Sequence, residues 1–402
     1  MIDAAGFLEG FREFSEIGRD ADGGMQRIAY SPEDRRAHAW IAQRMVAAGM
    51  TVRTDAAGNT IGHYPGSEPQ RAPIGLGSHT DSVPSGGRFD GVLGVLGAIA
   101  CVAALHRAGR RLRHPIEAID FAAEEGTMPG GTVGSRAMAG NLPPENLGQP
   151  AWDGRTLADH LQGAGLTPAR IGEARRAPGS LAAYLELHIE QGGILDREHC
   201  ALAAVEGIVG MRHYAIAVGG RANHAGTTPM ELRDDALVKA APLIARVSEI
   251  ARECRIIATV GRVRVVPGAP NVIPGAVELS LDMRSLDEDR LDRAEAAVRA
   301  ALAPIGASLE SFGQTPVAPA DPSIFATIQR VCADSGLPWR TLPSGAGHDA
   351  MNVARLAPYG MIFVPSRDGV SHAPDEFTDD EALVVGVRAL LTTLERIDAE
   401  FD

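Results

Sequence analysis

Three short apolar stretches of this chain each run straight into side chains of the kind that bind metals or move protons. That repeated arrangement restricts the possible folds more than any other feature. Residues 72–79 end on His79, with Asp81 two positions further on. Residues 116–123 run into Glu124 and Glu125, and residues 181–188 end on His188, followed by Glu190. Between the first two stretches, residues 91–107 carry helical spacing. Strand, loop, helix and strand in that order read as an α/β sheet with crossover helices. In open α/β sheets ligands gather beyond the carboxyl ends of the strands, so all three stretches would deliver polar side chains to one rim.

The rest of the chain falls into two textures. Residues 3–50 alternate apolar and charged positions at helical spacing up to Gly49. Residues 51–55 and 59–64 read as short strands around a Gly58-Asn59 turn. After Gly207 comes an alternating strand at 211–220, a helix at 233–254, strands at 256–266 and 276–283, a helix at 287–302 and a strand at 307–312. This is the split βαβ pattern of a small sandwich. Residues 314–322 hold three prolines and read as the linker out of it. The α/β texture then returns. The expectation is a large α/β domain with a central mixed sheet flanked by helices, at 1–208 and 323–402. A small α+β, ferredoxin-like domain would be inserted at 209–322.

Composition removes several function classes. With 402 residues, 45% hydrophobic and 22% charged, the chain can bury a sizeable core without disulfides. A net charge of -13 argues against nucleic-acid and anionic-membrane partners, which need clustered Lys and Arg. The four cysteines have no paired spacing and read as free thiols in a reducing compartment. The longest apolar run, residues 92–105, is about 14 residues and too short to span a bilayer. The first residues lack the basic and apolar regions of a signal peptide, so a soluble cytoplasmic protein is expected. Neither GxGxxG after a strand nor GxxxxGK[ST] is present, which leaves no motif for dinucleotide or phosphoryl chemistry.

His79 and Asp81, two apart at a strand end, would face the same way. Asp90 follows a glycine-rich loop and precedes a helix, so it is either a ligand or a mere N-cap. Adjacent carboxylates at the end of a buried strand, Glu124 and Glu125, repel and lose hydration, a cost that nearby cations offset. In an extended segment they point to opposite sides and would take different roles. His372 lies in a loop after the apolar run 361–364. A lone histidine is more often packed than ligating. Three histidines and two carboxylates on such loops, however, are about the number of protein ligands that two divalent ions need.

The segments SHTDSVPSGGRFDGVLGVLGA (78–98), AAEEG (122–126) with GSRAMAG (134–140), LELHIEQG (185–192), GRANHAGTTPM (220–230), PNVIPG (270–275), LDMRS (281–285), SGAGHDA (344–350) and SHAPDE (371–376) together resemble the hydantoinase/carbamoylase branch of the M20-type metallopeptidases. The resemblance covers nearly the whole chain. It implies that His79, Asp90, Glu125, His188 and His372 bind two divalent ions (zinc, manganese, cobalt or nickel), with Asp90 bridging. Asp81 would orient His79, and Glu124 would be the general base and then acid. His224 would donate to the developing oxyanion. Asn271 and Arg284 would hold a substrate carboxylate. Gln191 would contact the ureido group, and Gly345, Ala346 and Gly347 would offer backbone contacts.

The small domain would serve as lid and dimerisation domain, with His224 and Asn271 acting on the partner subunit's site of a homodimer. The implied reaction is hydrolysis of a small N-carbamoyl-L-amino acid or related ureido acid. Allantoate or ureidoglycolate is the near alternative, an acyl amino acid or dipeptide a further one, and a catalytically silent metal-binding scaffold the reading from another class. One departure stands out. Where branch members often carry a basic-plus-aromatic pair, this chain has Thr127, Met128, Pro129, Gly130 and Gly131, which implies a differently shaped pocket wall.

Overall fold

The computed structural model describes residues 1–401 and divides into two compact units. One comprises Met1–Glu206 and the chain from Ala320 onward; the other is Gly207–Pro319. In chain order the strands are β1 (Thr51–Thr54), β2 (Thr60–Tyr64), β3 (Ile74–His79), β4 (Ile116–Phe121), β5 (Ala183–Ile189), β6 (Leu202–Ile208), β7 (Gly210–Gly219), β8 (Ile257–Val266), β9 (Ala276–Ser285), β10 (Ser308–Thr315), β11 (Ala318–Pro319), β12 (Trp339–Ser344) and β13 (Tyr359–Val364).

The large sheet runs β1-β2-β4-β3-β5-β13-β6-β11, with β12 also paired to β6. It is mixed: β4, β3, β5 and β13 are mutually parallel, while β2 and β6 run against them. The four parallel strands are buried along their whole length, as strands covered on both faces must be. The helices Val92–Arg107 and Asp380–Glu400 pack on one another and on this sheet. The first has twelve buried residues and is apolar all round because it lies inside the core, not in a membrane. Among the described residues, no helix is long and apolar enough to cross a bilayer. All four cysteines are unpaired.

The smaller unit is the four-stranded antiparallel sheet β10-β7-β9-β8. The helices Ala236–Cys254 and Glu288–Leu302 pack against each other, and their apolar stripes share a core with alternate residues of β7 and β9. Three local expectations are corrected. The helical region 3–50 is two helices, Ala4–Phe14 and Pro32–Ala47, because left-handed Gly18 and Gly23 interrupt it and Ser31 caps a new start at Pro32. The final strand of the small unit extends past residue 312 to Thr315, through a bulge between Ser311 and Gly313 that breaks the alternation. The segment read as a proline linker is therefore strand at its beginning and pairs with β6 at Ala318 and Pro319.

A buried polar cluster lies beneath the rim. Arg27 is 0% exposed, and its guanidinium donates to the carbonyls of Thr80 (2.7 Å) and Ile17 (3.0 Å). Burial lowers its pKa to about 10, against the pull of Asp34, Asp81, Asp120 and Glu376. His38 Nδ1 lies 2.8 Å from Asp120 Oδ2, and Asp120 accepts from the Thr80 hydroxyl. Burial disfavours the His38 cation, but Asp120 and Asp34 outweigh it and raise its pKa from 6.5 to about 10.

A folded-state pKa above the unfolded one gives stability that is complete below about pH 6.5 and is lost as pH rises through about 10. The urea midpoint of wild type is therefore expected to fall between pH 7 and 10. His38→Gln should be less stable at pH 6.5 and should show a flatter decline. An unchanged slope in the variant would assign the alkaline sensitivity elsewhere.

Candidate metal centre

The rim expected from the sequence forms at the carboxyl ends of the parallel strands. His79 is the last residue of β3, His188 the penultimate residue of β5, and Glu124 and Glu125 follow β4. His372 comes from the loop after β13. Asp90 is not an N-cap: Gly91 takes that place before the helix Val92–Arg107 and makes no side-chain cap bond. The Asp90 carboxylate instead faces three histidines. Its Oδ1 lies 3.1 Å from His188 Nε2 and 3.5 Å from His79 Nε2, and its Oδ2 lies 3.2 Å from His372 Nε2. Glu125 Oε1 is 3.6 Å from His372 Nε2, and Glu124 Oε2 is 3.6 Å from His79 Nε2.

Two trios with metal-ligand spacing result, His79–Asp90–His188 and Asp90–Glu125–His372, and the ligand atoms of each lie within 4.8 Å of one another. Asp90 belongs to both, one oxygen toward each. The other ring nitrogen of His188 is fixed by the Ile189 carbonyl at 2.9 Å, and that of His79 faces Asp81 at 3.4 Å. Such outer contacts orient a ligating imidazole.

The electrostatics of the cluster are those of crowded, buried charge. Burial and the neighbouring Asp90 push the Glu125 carboxyl up to about 7, although His79 and His372 oppose them. Burial pushes Glu124 well above the usual carboxylate range, with Asp349, Glu125 and Asp81 adding to it. Burial opposes the His79 cation, yet Glu124, Asp81 and Asp90 hold its pKa well above 6.5. The bond to Asp90 raises His372 to about 9. Buried carboxylates crowded in this way require compensating positive charge. Divalent cations would supply it on the imidazole and carboxylate donors that suit zinc and its neighbours.

Four residues in the loops around the site carry backbone strain. Ala123, Thr132, Gln191 and His372 all have positive φ (56°, 46°, 56° and 57°), a region unfavourable to side chains and held only where the surroundings enforce it. Left-handed Ala123 ends the extended course of β4, so Glu124 and Glu125 do not simply alternate. Both backbone N–H groups converge on Asp81, whose Oδ1 and Oδ2 accept them at 3.0 and 3.2 Å. Asp81 therefore ties the loop after β3 to the loop after β4. Gln191 Nε2 donates to Asp90 Oδ2 at 2.6 Å.

The departure at 127–131 is a pinned loop. Arg136 bonds the carbonyls of Pro129 and Gly131, Asn146 bonds that of Pro129, and Met128 packs into a core cluster beside Tyr30 and Ala122.

Gly345, Ala346 and Gly347 follow β12, where Ala346 is held by the Ser344 hydroxyl. The same segment brings His348 against His188, with rings 4.5 Å apart, and forms a third trio with Glu186. The sequence reading missed His348 and Glu186. The signal for Glu186 was its place two residues before His188 on the same strand face.

His224, Asn271 and Arg284 belong to the smaller unit. The loops bearing His224 and Asn271 are joined by the Ala225 N–H to the Asn271 carbonyl at 2.9 Å. Asn271 precedes the start of β9, whereas Arg284 lies near its end and forms a two-point ion pair with Asp282. Arg284 lies eight positions along β9 from Ala276, about 27 Å at the usual rise.

Gly91 is required twice over. Its φ is 65°, and a Cβ there would fall 2.5 Å from three atoms of the His79 ring. Gly91→Ala would thus incur about 1–2 kcal/mol of backbone cost and displace the His79 ring. Divalent-ion affinity, read by calorimetry, should fall about 10- to 100-fold. Wild-type affinity in this variant would show that His79 is not a ligand.

A family model for peptidase family M20/M25/M40 matches residues 75–396. The N-carbamoyl-L-amino acid amidohydrolase of Geobacillus stearothermophilus is 39% identical, the alignment covering 98% of each chain. The allantoate amidohydrolase of Escherichia coli K12 is 33% identical over 95% of each. A crystal structure of a hydantoinase/carbamoylase family amidase from Burkholderia multivorans superposes with a TM-score of 0.90 at 35% identity, covering 98% of each chain. With the rim geometry and matches spanning nearly the whole chain, the protein belongs to the M20/M25/M40 peptidase family, in its hydantoinase/carbamoylase branch.

Proposed function

We propose that the protein is a two-metal amidohydrolase that cleaves the carbamoyl C–N bond of an N-carbamoyl-L-amino acid. Water is consumed, and ammonia, carbon dioxide and the amino acid are released. The observation that carries this reading is the Asp90 carboxylate, one oxygen facing each trio, with Glu124 Oε2 3.6 Å from His79 Nε2. Asp90, His79 and His188 would hold one ion, and Asp90, Glu125 and His372 the other. Bound divalent ions would polarise the carbamoyl carbonyl and lower the pKa of water.

The remaining work falls to the chain's own groups. Glu124 accepts a proton from the attacking water and returns it to the leaving nitrogen. Asp81 holds the Glu124 and Glu125 backbone and the His79 ring in place. Gln191 contacts the ureido group, and the Gly345–Gly347 backbone lines it. Arg284 meets the substrate carboxylate with its two-pronged guanidinium, exchanging Asp282 for it, and Asn271 supports the same group. His224 donates to the developing oxyanion.

The roughly 27 Å of β9 between the Asn271 loop and Arg284 is too long for one small ligand to bridge. It favours a homodimer through the smaller unit, in which His224 and Asn271 serve the partner subunit's site. A cytoplasmic location accords with the four unpaired thiols.

The substrate is tested by ranking kcat/KM for N-carbamoyl-L-amino acids, 3-ureidopropionate, allantoate and ureidoglycolate on metal-reconstituted protein. An N-carbamoyl-L-amino acid should lead by at least tenfold; leadership by allantoate would replace this substrate and leave the mechanism standing.

A further inference from the structure

We propose that Glu376 is a positioning residue that latches the Asp90 loop to the His372 loop, resting on the two-ion reading above. Glu376 is 2% exposed, and its carboxylate takes three hydrogen bonds. Oε1 accepts from the backbone N–H groups of Phe89 at 2.8 Å and Asp90 at 3.1 Å. Oε2 accepts from the Ser371 hydroxyl at 2.7 Å. Ser371 precedes His372 and also lies 3.1 Å from Asp90 Oδ2. One buried side chain therefore fixes the backbone of the shared ligand and the residue next to the exposed one. His372 needs such a hold, since its side chain is 48% exposed and its φ is 57°.

The loop is built to admit this carboxylate. A Cβ on Gly87 would lie 2.0 Å from Glu376 Oε1 and 2.1 Å from its Cδ. These are atoms at the far end of a flexible side chain, so a methyl group at Gly87 would push the carboxylate aside without moving backbone. Ser371 has a single hydroxyl proton and two carboxylates within reach. Were Asp90 to commit its lone pairs to cations, that proton would be left to Glu376, and a loaded site would hold the latch more tightly.

The test uses purified full-length protein, stripped of metal and titrated with Mn²⁺ by calorimetry, with thermal unfolding and kcat and KM measured alongside. Glu376→Ala and Gly87→Ala should each weaken Mn²⁺ binding about 10- to 100-fold and lower kcat more than KM. Glu376→Gln keeps an acceptor for both N–H groups and should stay within about threefold of wild type. The Gly87→Ala, Glu376→Ala double variant should lose no more than the worse single one. A lower Tm with unchanged Mn²⁺ affinity in Gly87→Ala, or losses that add in the double variant, would overturn the latch. If Glu376→Ala does not fold, Gly87→Ala and Glu376→Gln still decide. Wild-type protein that binds no Mn²⁺, Zn²⁺, Co²⁺ or Ni²⁺ would instead overturn the two-ion reading itself.

Discussion

Replacing Glu124 by Gln should lower kcat about 100- to 10,000-fold, the usual contribution of a positioned general acid–base, while metal content and folding stay at wild-type levels. Glutamine has the same shape and keeps an oxygen toward His79, but it cannot take a proton from water or return one to nitrogen. Glu124 is well placed to do both. Its Oε2 stands 3.6 Å from His79 Nε2 at the edge of the trios, and its backbone N–H is held by Asp81. Removal of a proton shuttle from the transition state should leave KM nearly unchanged. A variant within tenfold of wild-type kcat would mean that another group carries the proton.

The second large effect is expected at Asp90→Ala, because this side chain is shared by the His79–Asp90–His188 and Asp90–Glu125–His372 trios. Without it neither set retains three ligands, and Lewis-acid assistance worth several kcal/mol is lost, so activity should fall by at least about 1000-fold. Thermal unfolding gives an independent readout. Ions at 1000 times their dissociation constant stabilise the native state by about 4 kcal/mol, so wild type should show a higher Tm with Mn²⁺ than with chelator. The variant should show almost no difference. Three histidines lose their shared acceptor in it, and Glu125 loses a repelling neighbour. Its metal-free form is therefore expected to stay folded. Full metal-dependent stabilisation in Asp90→Ala would place the ions elsewhere.

What could be read in the sequence was whatever local pattern dictates. Strands β3, β4 and β5 announced themselves as apolar runs ending in polar residues, and their parallel order brings those ends together. The split βαβ topology followed from alternating periodicities, and failed only at β10, where a bulge hides the period of two.

The contacts that set the site are of another kind. Glu376 meets Phe89 and Asp90 across 287 and 286 residues. His38 meets Asp120 from a helix whose pattern says only that one face is buried. The left-handed conformations of Ala123, Thr132, Gln191 and His372 belong to residue types that do not favour them. Tertiary contacts impose them, and no local propensity reveals them. Met128 is the converse case: the 127–131 segment implies a differently shaped pocket wall, yet the burial of Met128 in a core cluster has no local signal.

The most direct test of the central claim follows a ¹³C-carbamoyl-labelled L-amino acid by NMR with the metal-reconstituted protein, alongside an N-acetyl amino acid and a dipeptide. Carbamoyl hydrolysis predicts labelled carbon dioxide and bicarbonate appearing in step with ammonia and free amino acid, abolished by chelation and restored by divalent ion. A labelled carbamoyl group that persists while the acetyl compound or dipeptide is turned over would contradict it and place the chain with the peptidases of its family.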